Sequence, residues 1–208
     1  MASQTDLWLE RKFDQLYREH DDPWGCHAGR RSFNNRLFVE MVFDEREKYM
    51  RVLDIGCGIG GLTDQIHTKC TAEVVGIDAS DVAIQKARAA YPWVRFEACN
   101  ILTDSIADLG MFDLILMSEV LWYVCDDLAG VMQKIKASLM DGGTLAIHQF
   151  FPAGQRYYQE YIDGLAGFDR AMAGAWEYRR KIVSYFGTEG QVLLALFTPK
   201  EERKCQTA

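Results

Sequence analysis

The sequence predicts an α/β protein whose core is a mainly parallel sheet. Three observations carry this. From residue 51, short apolar runs alternate with amphipathic segments of helix length, the pattern of strands joined by helical crossovers. A glycine-rich stretch, Gly56-Cys57-Gly58-Ile59-Gly60-Gly61, directly follows the first of those runs. Two strand-like runs end the pattern with only Gly187-Thr188-Glu189-Gly190 between them, too short for a crossover, so they pair as an antiparallel hairpin. At 208 residues the expectation is one domain with enough chain to bury a core without staples.

Residues 5–20 place Leu7, Leu9, Phe13, Leu16 and Tyr17 at roughly helical spacing among charges, and Asp22-Pro23-Trp24-Gly25 breaks the pattern. A second helix is expected over 32–48, capped by Ser32, with Phe33, Leu37, Phe38, Met41 and Val42 on one face. No linker composition follows, so this lead, residues 1–49, should pack on the remainder. The central section, 50–150, is expected to hold strands at 51–55, 73–77, 94–98, 112–117 and 144–150, and helices at 61–69, 81–90 and 126–139. Leu128, Val131, Met132, Ile135 and Leu139 face inward on the last helix. Asp141-Gly142-Gly143 reads as a turn, where the glycines either stop a helix or touch a ligand. In the final section, 151–208, residues 155–175 read as helix or lid and the hairpin strands as 178–186 and 191–198. Parallel pairing implies right-handed crossovers.

Hydrophobic content of 49% and charged content of 25% are ordinary for a globular chain and exclude disorder as its main state. Acids outnumber bases 30 to 23, a net charge of −7. Gripping nucleic-acid phosphates or anionic lipid takes the opposite sign, so neither partner is expected. Cysteines 26, 57, 70, 99, 125 and 205 form no C-x-x-C pair and read as small buried hydrophobes. The four histidines are far apart in sequence, and no metal is expected. The opening MASQTDLWLERKFDQLYREHDD is charged, and no apolar run approaches the roughly 18 residues of a membrane span. A cytoplasmic location is the expectation.

The chemical signal is Val52-Leu53-Asp54-Ile55 followed by the glycines. Glycines let the backbone turn tightly after a strand and approach a ligand closely. Gly56, Gly58 and Gly61 also fit the dinucleotide pattern G-x-G-x-x-G. Asp54 tips the balance: a carboxylate at the strand end repels a pyrophosphate and attracts an ammonium or sulfonium. Asp78 ends the second strand, where an acid accepts hydrogen bonds from ribose hydroxyls, a feature that nicotinamide proteins share.

Over residues 50–150 these motifs, with Phe112-Asp113-Leu114-Ile115-Leu116-Met117-Ser118-Glu119-Val120-Leu121-Trp122-Tyr123, resemble the class I S-adenosylmethionine-dependent methyltransferases. The resemblance implies a Rossmann-like sheet of seven strands, five parallel plus a C-terminal antiparallel hairpin, with helices on both faces and an N-terminal helical lid. It implies S-adenosylmethionine as cofactor and S-adenosylhomocysteine as product. The implied cofactor-binding residues are Asp54, Gly56, Cys57, Gly58, Gly60, Asp78, Ala79, Asn100, Ile101 and Ser118. Asn100 stands where the family has an aspartate on adenine. Asp22-Pro23-Trp24, Ser118 to Tyr123 and Tyr178-Arg179-Arg180 are similar to the nodulation-type N-methyltransferases, which act on amino sugars of chitooligosaccharides. Ser118-Glu119-Val120-Leu121 replaces the tetrapeptide that nucleic-acid amino methyltransferases carry, which with the net charge points to a small-molecule acceptor.

Glu119, Tyr123 and His148 are the candidate catalytic residues, since each is expected near the carboxyl edge of the sheet. Glu119 either takes a substrate proton or holds an ammonium, or it fixes its own loop. Tyr123 either walls the transfer channel or packs under the lid. His148 is a base at neutral pH or a satisfied core residue. Trp24, His27, Trp122 and Tyr157 are candidate substrate contacts, each with simple packing or solvation as its alternative. Tyr157-Tyr158 and Tyr161 could line a carbohydrate-like groove. Arg30-Arg31 and Arg179-Arg180 are either solvated ends or anion clamps. The leading function is methyl transfer to an amine or hydroxyl of a small molecule. The alternatives are a non-catalytic adenosyl-ligand-binding or regulatory protein and a nicotinamide-dependent oxidoreductase. Nothing in the sequence sets the oligomeric state.

Overall fold

Val52, Leu53 and Ile55 give the first strand no face to offer water, and β1 (Arg51–Ile55) lies mid-sheet, its side chains buried on both faces. The computed structural model describes residues 4–25, 33–45, 49–69 and 73–201, with the backbone alone for 4–10. In chain order follow α1 (Gln4–Glu19) and α2 (Phe33–Glu45) before β1, then α3 (Gly61–Lys69), β2 (Glu73–Asp78), α4 (Asp81–Ala90), β3 (Arg95–Ala98) and β4 (Phe112–Ser118). After these come α5 (Leu121–Val124), α6 (Leu128–Ser138), β5 (Leu139–Pro152), α7 (Gly164–Met172), β6 (Trp176–Phe186) and β7 (Gly190–Pro199). The seven strands lie in the order β3-β2-β1-β4-β5-β7-β6. β1 to β5 are parallel, and β7 runs antiparallel to both β5 and β6.

Strand alternation divides the core into two layers. Leu53, Ile115 and Met117 face the layer that holds Val131 and Ile135 of α6 and Phe168 of α7. Val52, Leu114 and Leu116 face the layer that holds Phe38 and Val42 of α2 and Ile66 of α3. The second hairpin strand is the one that joins β5. Val192 to Phe197 is apolar on both faces and is wholly buried there, whereas β6 alternates half-buried with exposed residues and takes the edge. No described helix is long and apolar enough to cross a membrane.

Several expectations need correction. Within α2 Phe33 is exposed, and Val39 is buried in its place; Ser32 and residues 46–48 lie outside the described residues. The helix expected over 126–139 begins at Leu128, where Asp127 accepts a hydrogen bond from Gly130 N, and Leu139 already belongs to β5. Asp141-Gly142-Gly143 is not a turn before a strand but a bulge within one. Between Phe112 and Leu114 on β4, β5 advances from Leu139 to Thr144, and Gly142 at φ +71° lets the extra residues fold out. This bulge sits at the amino end of β5, so neither glycine reaches the ligand edge. In the segment 155–175 only Gly164–Met172 is helical. Arg179 and Arg180 are solvated, and they pair with Glu45 at 3.0 Å and Asp44 at 2.6 Å, which ties β6 to α2. Cys57 and Cys125 are buried as expected, and Cys99 is half-buried.

Candidate functional site

Sheet order reverses between β2 and β4 on either side of β1, and a crevice opens beyond the carboxyl ends of the strands at such a point. Gly56 at φ +72° and Gly58 at φ +54° turn the chain out of β1 in the left-handed region that only glycine enters freely. The turn is pinned to β2. Gly56 N and Cys57 N both donate to Ile77 O, at 2.8 and 2.9 Å, and Gly58 N donates to Asp78 Oδ2 at 2.9 Å. Asp78 Oδ1 accepts from Ser80 N. The acid expected to meet a ligand therefore also builds the loop around it.

The resulting cleft holds about 410 Å³, within the range of small-molecule sites. Asp54, Gly56, Cys57, Gly58, Asp78, Ala79, Asn100, Ile101 and Ser118 line it, as do Glu119, Tyr123, His148, Trp24 and Trp122. Two expected residues do not. Gly60 lies outside the lining; a Cβ on it, at φ +83°, would lie 2.7 Å from Phe96 Cζ, so the absence of a side chain lets the loop pack against β3. Tyr157 lies outside the lining and packs edge-on against Trp122, with ring centres 5.5 Å apart. His27, with Arg30 and Arg31, lies outside the described residues. Phe13, Tyr17 and Trp24 of the lead stand over the opening, and Phe13 meets Tyr123 edge-to-face at 5.0 Å. Asp14 anchors this lead. It accepts from Ser80 Oγ at 2.7 Å and Val82 N at 3.2 Å, at the start of α4, where an acid complements the helix dipole.

Burial governs the charges. Asp54 is 1% exposed and its carboxyl is pushed up to about 7, with Thr63 Oγ1 donating to it at 2.7 Å and Asp78 adding repulsion. Glu119 is also raised to about 7 by burial, against the hydrogen bond from Phe150 N, even though its side chain is 45% exposed. His148 is held down to about 4 by burial, so it is neutral at pH 7, and its Nδ1 is 2.9 Å from Ser118 Oγ in the cleft wall. Asn100 Oδ1 accepts from Leu102 N at 3.0 Å, so its amide first shapes the loop after β3.

Sequence reasoning missed Thr63, Gln149 and Lys134. Lys134 of α6 donates to the carbonyls of Ile101, Leu102 and Asp104 at 2.6, 2.8 and 2.9 Å and holds the loop that forms one wall of the cleft. Lys134→Met is expected to weaken S-adenosylhomocysteine binding about tenfold, read by calorimetry, with a smaller loss of thermal stability. Unaltered affinity would show that the wall holds its shape without the lysine.

Residues 46–178 match the family described as "Methyltransferase domain". A ubiquinone biosynthesis O-methyltransferase of Rhodopseudomonas palustris (strain TIE-1) is 35% identical over 161 residues, 70% of this chain and 62% of that protein. A trans-aconitate 2-methyltransferase of Variovorax paradoxus (strain S110) is 38% identical over 98 residues, 47% of this chain and 37% of that protein. The chain thus spans between about a third and three fifths of the length of these curated relatives. Among solved structures, the N-methyltransferase NodS of Bradyrhizobium japonicum WM9 in complex with S-adenosyl-L-homocysteine has a TM-score of 0.73 at 22% identity, covering 91% of this chain and 98% of that one. That likeness is one of fold.

Proposed function

The chain belongs to the methyltransferase-domain family, and from that premise we propose that it transfers the methyl group of S-adenosylmethionine to an amine or hydroxyl of a small molecule. One observation carries the choice of cofactor. Two carboxylates, buried Asp54 and half-buried Asp78, face a glycine-walled cleft at the switch point of the sheet. A cationic ligand relieves their mutual repulsion, whereas a pyrophosphate adds to it. The donor set therefore fits S-adenosylmethionine better than a nicotinamide dinucleotide. Asp54 would meet its positive charge, Asp78 its hydroxyls, and the Asn100–Leu102 loop its base.

The bound group supplies an activated methyl carbon; the protein supplies place and environment. Holding the acceptor in line is worth roughly 7–11 kcal/mol. Phe13, Tyr17 and Trp24 cover the opening and act as the lid that keeps water out. Glu119 faces the remainder of the cleft and takes the acceptor's proton. Its carboxyl near 7 implies a rate that rises with pH as the carboxylate forms. An acid beside aromatic rings, beyond the part of the cleft that the cofactor needs, favours catalysis over simple ligand binding.

The described wall of the cleft carries three carboxylates, Asp54, Asp78 and Glu119, and neither Lys nor Arg. An amine or a neutral hydroxyl suits such a wall better than a polyanionic acceptor. Tyr157, Tyr158 and Tyr161 extend from Trp122 as a row of exposed rings, on which an amino sugar could stack.

Side-by-side calorimetric titration with S-adenosylhomocysteine and NAD tests the cofactor. Heat of binding from the first and none from the second is expected. Binding of NAD alone would overturn the reading of Asp54.

A further inference from the structure

Glu119 has an unusual backbone. It is a non-glycine residue at φ +59°, a left-handed conformation that persists only where its surroundings hold it. Part of that hold comes from Glu119 N donating to His148 O at 2.8 Å. The rest comes from a side chain that no motif indicates. Gln149 of β5 is completely buried, and an amide in such a place must have its hydrogen bonds satisfied. Its Nε2 donates to Glu119 Oε2 at 2.9 Å and to Phe150 O at 3.2 Å, while its Oε1 accepts from Leu121 N at 3.0 Å, at the start of α5. One amide thus spans the acid and the helix that carries Trp122 and Tyr123.

We propose that Gln149 is a positioning residue for methyl transfer, which holds Glu119 so that one oxygen is saturated and the other is left to receive the acceptor's proton. The proposal rests on the reading of Glu119 as the acceptor-facing acid. Oε2 accepts from both Gln149 Nε2 and Phe150 N. Oε1 lies 3.7 Å from His148 Nε2, beyond hydrogen-bond length, and is the oxygen on offer. One proton passes from the acceptor N–H or O–H to Oε1. The acceptor's electron pair forms the bond to the methyl carbon, and the carbon–sulfur pair stays with sulfur. The titratable groups around Glu119 are His148 of β5, which is neutral at pH 7, and the phenols of Tyr123 and Tyr157, both of which feel its charge. Gln149 adds no charge. It favours the carboxylate by donating to it, so its loss raises the pH at which Glu119 ionises.

The test reads Glu119 directly and needs no acceptor. The full chain, labelled with 13C at its glutamate carboxyls and saturated with S-adenosylhomocysteine, is titrated by NMR, and Glu119 is assigned by the signal missing from Glu119→Gln. Gln149→Met keeps the volume and removes the amide. Gln149→Leu also removes the amide and adds no charge, so it carries the test if the Met variant does not fold. In either variant the Glu119 midpoint is expected to rise by about one to two pH units, with S-adenosylhomocysteine affinity unchanged within about twofold. A midpoint that stays put in a folded variant overturns the role of Gln149, whatever happens to stability. A wild-type Glu119 that titrates like a surface carboxyl overturns the reading of Glu119 itself, a distinct result.

Discussion

Asp54→Asn is expected to weaken S-adenosylmethionine binding by about two orders of magnitude and, in the same protein without ligand, to raise the melting temperature at pH 8. Both follow from one buried carboxyl. In the fold it ionises near 7, against an ordinary value of 3.8. The native state therefore holds this proton more tightly than the unfolded chain, and the stability it contributes falls as pH rises from about 4 through 7. Above that window the charged form costs the fold on the order of 4 kcal/mol. Asparagine cannot ionise and still offers Thr63 Oγ1 an acceptor, so the cost disappears. A gain of about 8–16 °C at pH 8 is expected for a domain of this size, shrinking toward pH 5. The cofactor's positive charge then has no buried partner. Melting curves at the two pH values and a binding isotherm measure both halves. An unchanged affinity, or a lower melting temperature at pH 8, would show that Asp54 is structural rather than a ligand-facing charge held at the expense of stability.

Gly56→Ala is expected to be the more disruptive change. A Cβ there would lie 2.4 Å from Val120 Cγ2, and the residue would have to keep φ +72°. The left-handed conformation costs about 1–2 kcal/mol and the overlap about as much again. Val120 precedes α5, so relief of the clash moves the wall that carries Trp122 and Tyr123. S-adenosylhomocysteine binding should fall at least about 100-fold, with a loss of several degrees in melting temperature. The double change Gly56→Ala with Val120→Ala removes the overlap but not the backbone strain, so it should recover part of the stability. Near-normal binding by the single variant would mean that the loop has room that the geometry denies it.

Those two residues were legible because their signals are local. Asp54 ends an apolar strand and Gly56 follows it, and a strand, a turn and a helix in succession leave few ways to place them. The alternation of strands and helices, the hairpin, and the acids at 54 and 78 were legible for the same reason. Other elements misled because two local signals compete. Gly142-Gly143 is a strong turn signal, yet β4 pairs with Leu139 before it and Thr144 after it, which keeps the chain in the sheet and turns the excess into a bulge. Gly60 has the spacing of a ligand glycine, yet it lies outside the cleft lining and packs against Phe96, 36 positions away.

By itself, then, the sequence determined the α/β pattern, the glycine turn after the first strand, the two acids that face it and the family to which they belong. The tertiary structure alone decided that Asp141-Gly142-Gly143 becomes a bulge within β5. It also brought Gln149 to Glu119, Lys134 to the loop after β3, Thr63 to Asp54 and Asp14 to the start of α4. The reason is physical. Spacing of two, three or four residues encodes which face a side chain takes within one element, and that is readable locally. Which residues meet across elements depends on strand register and helix packing, which the whole core sets at once.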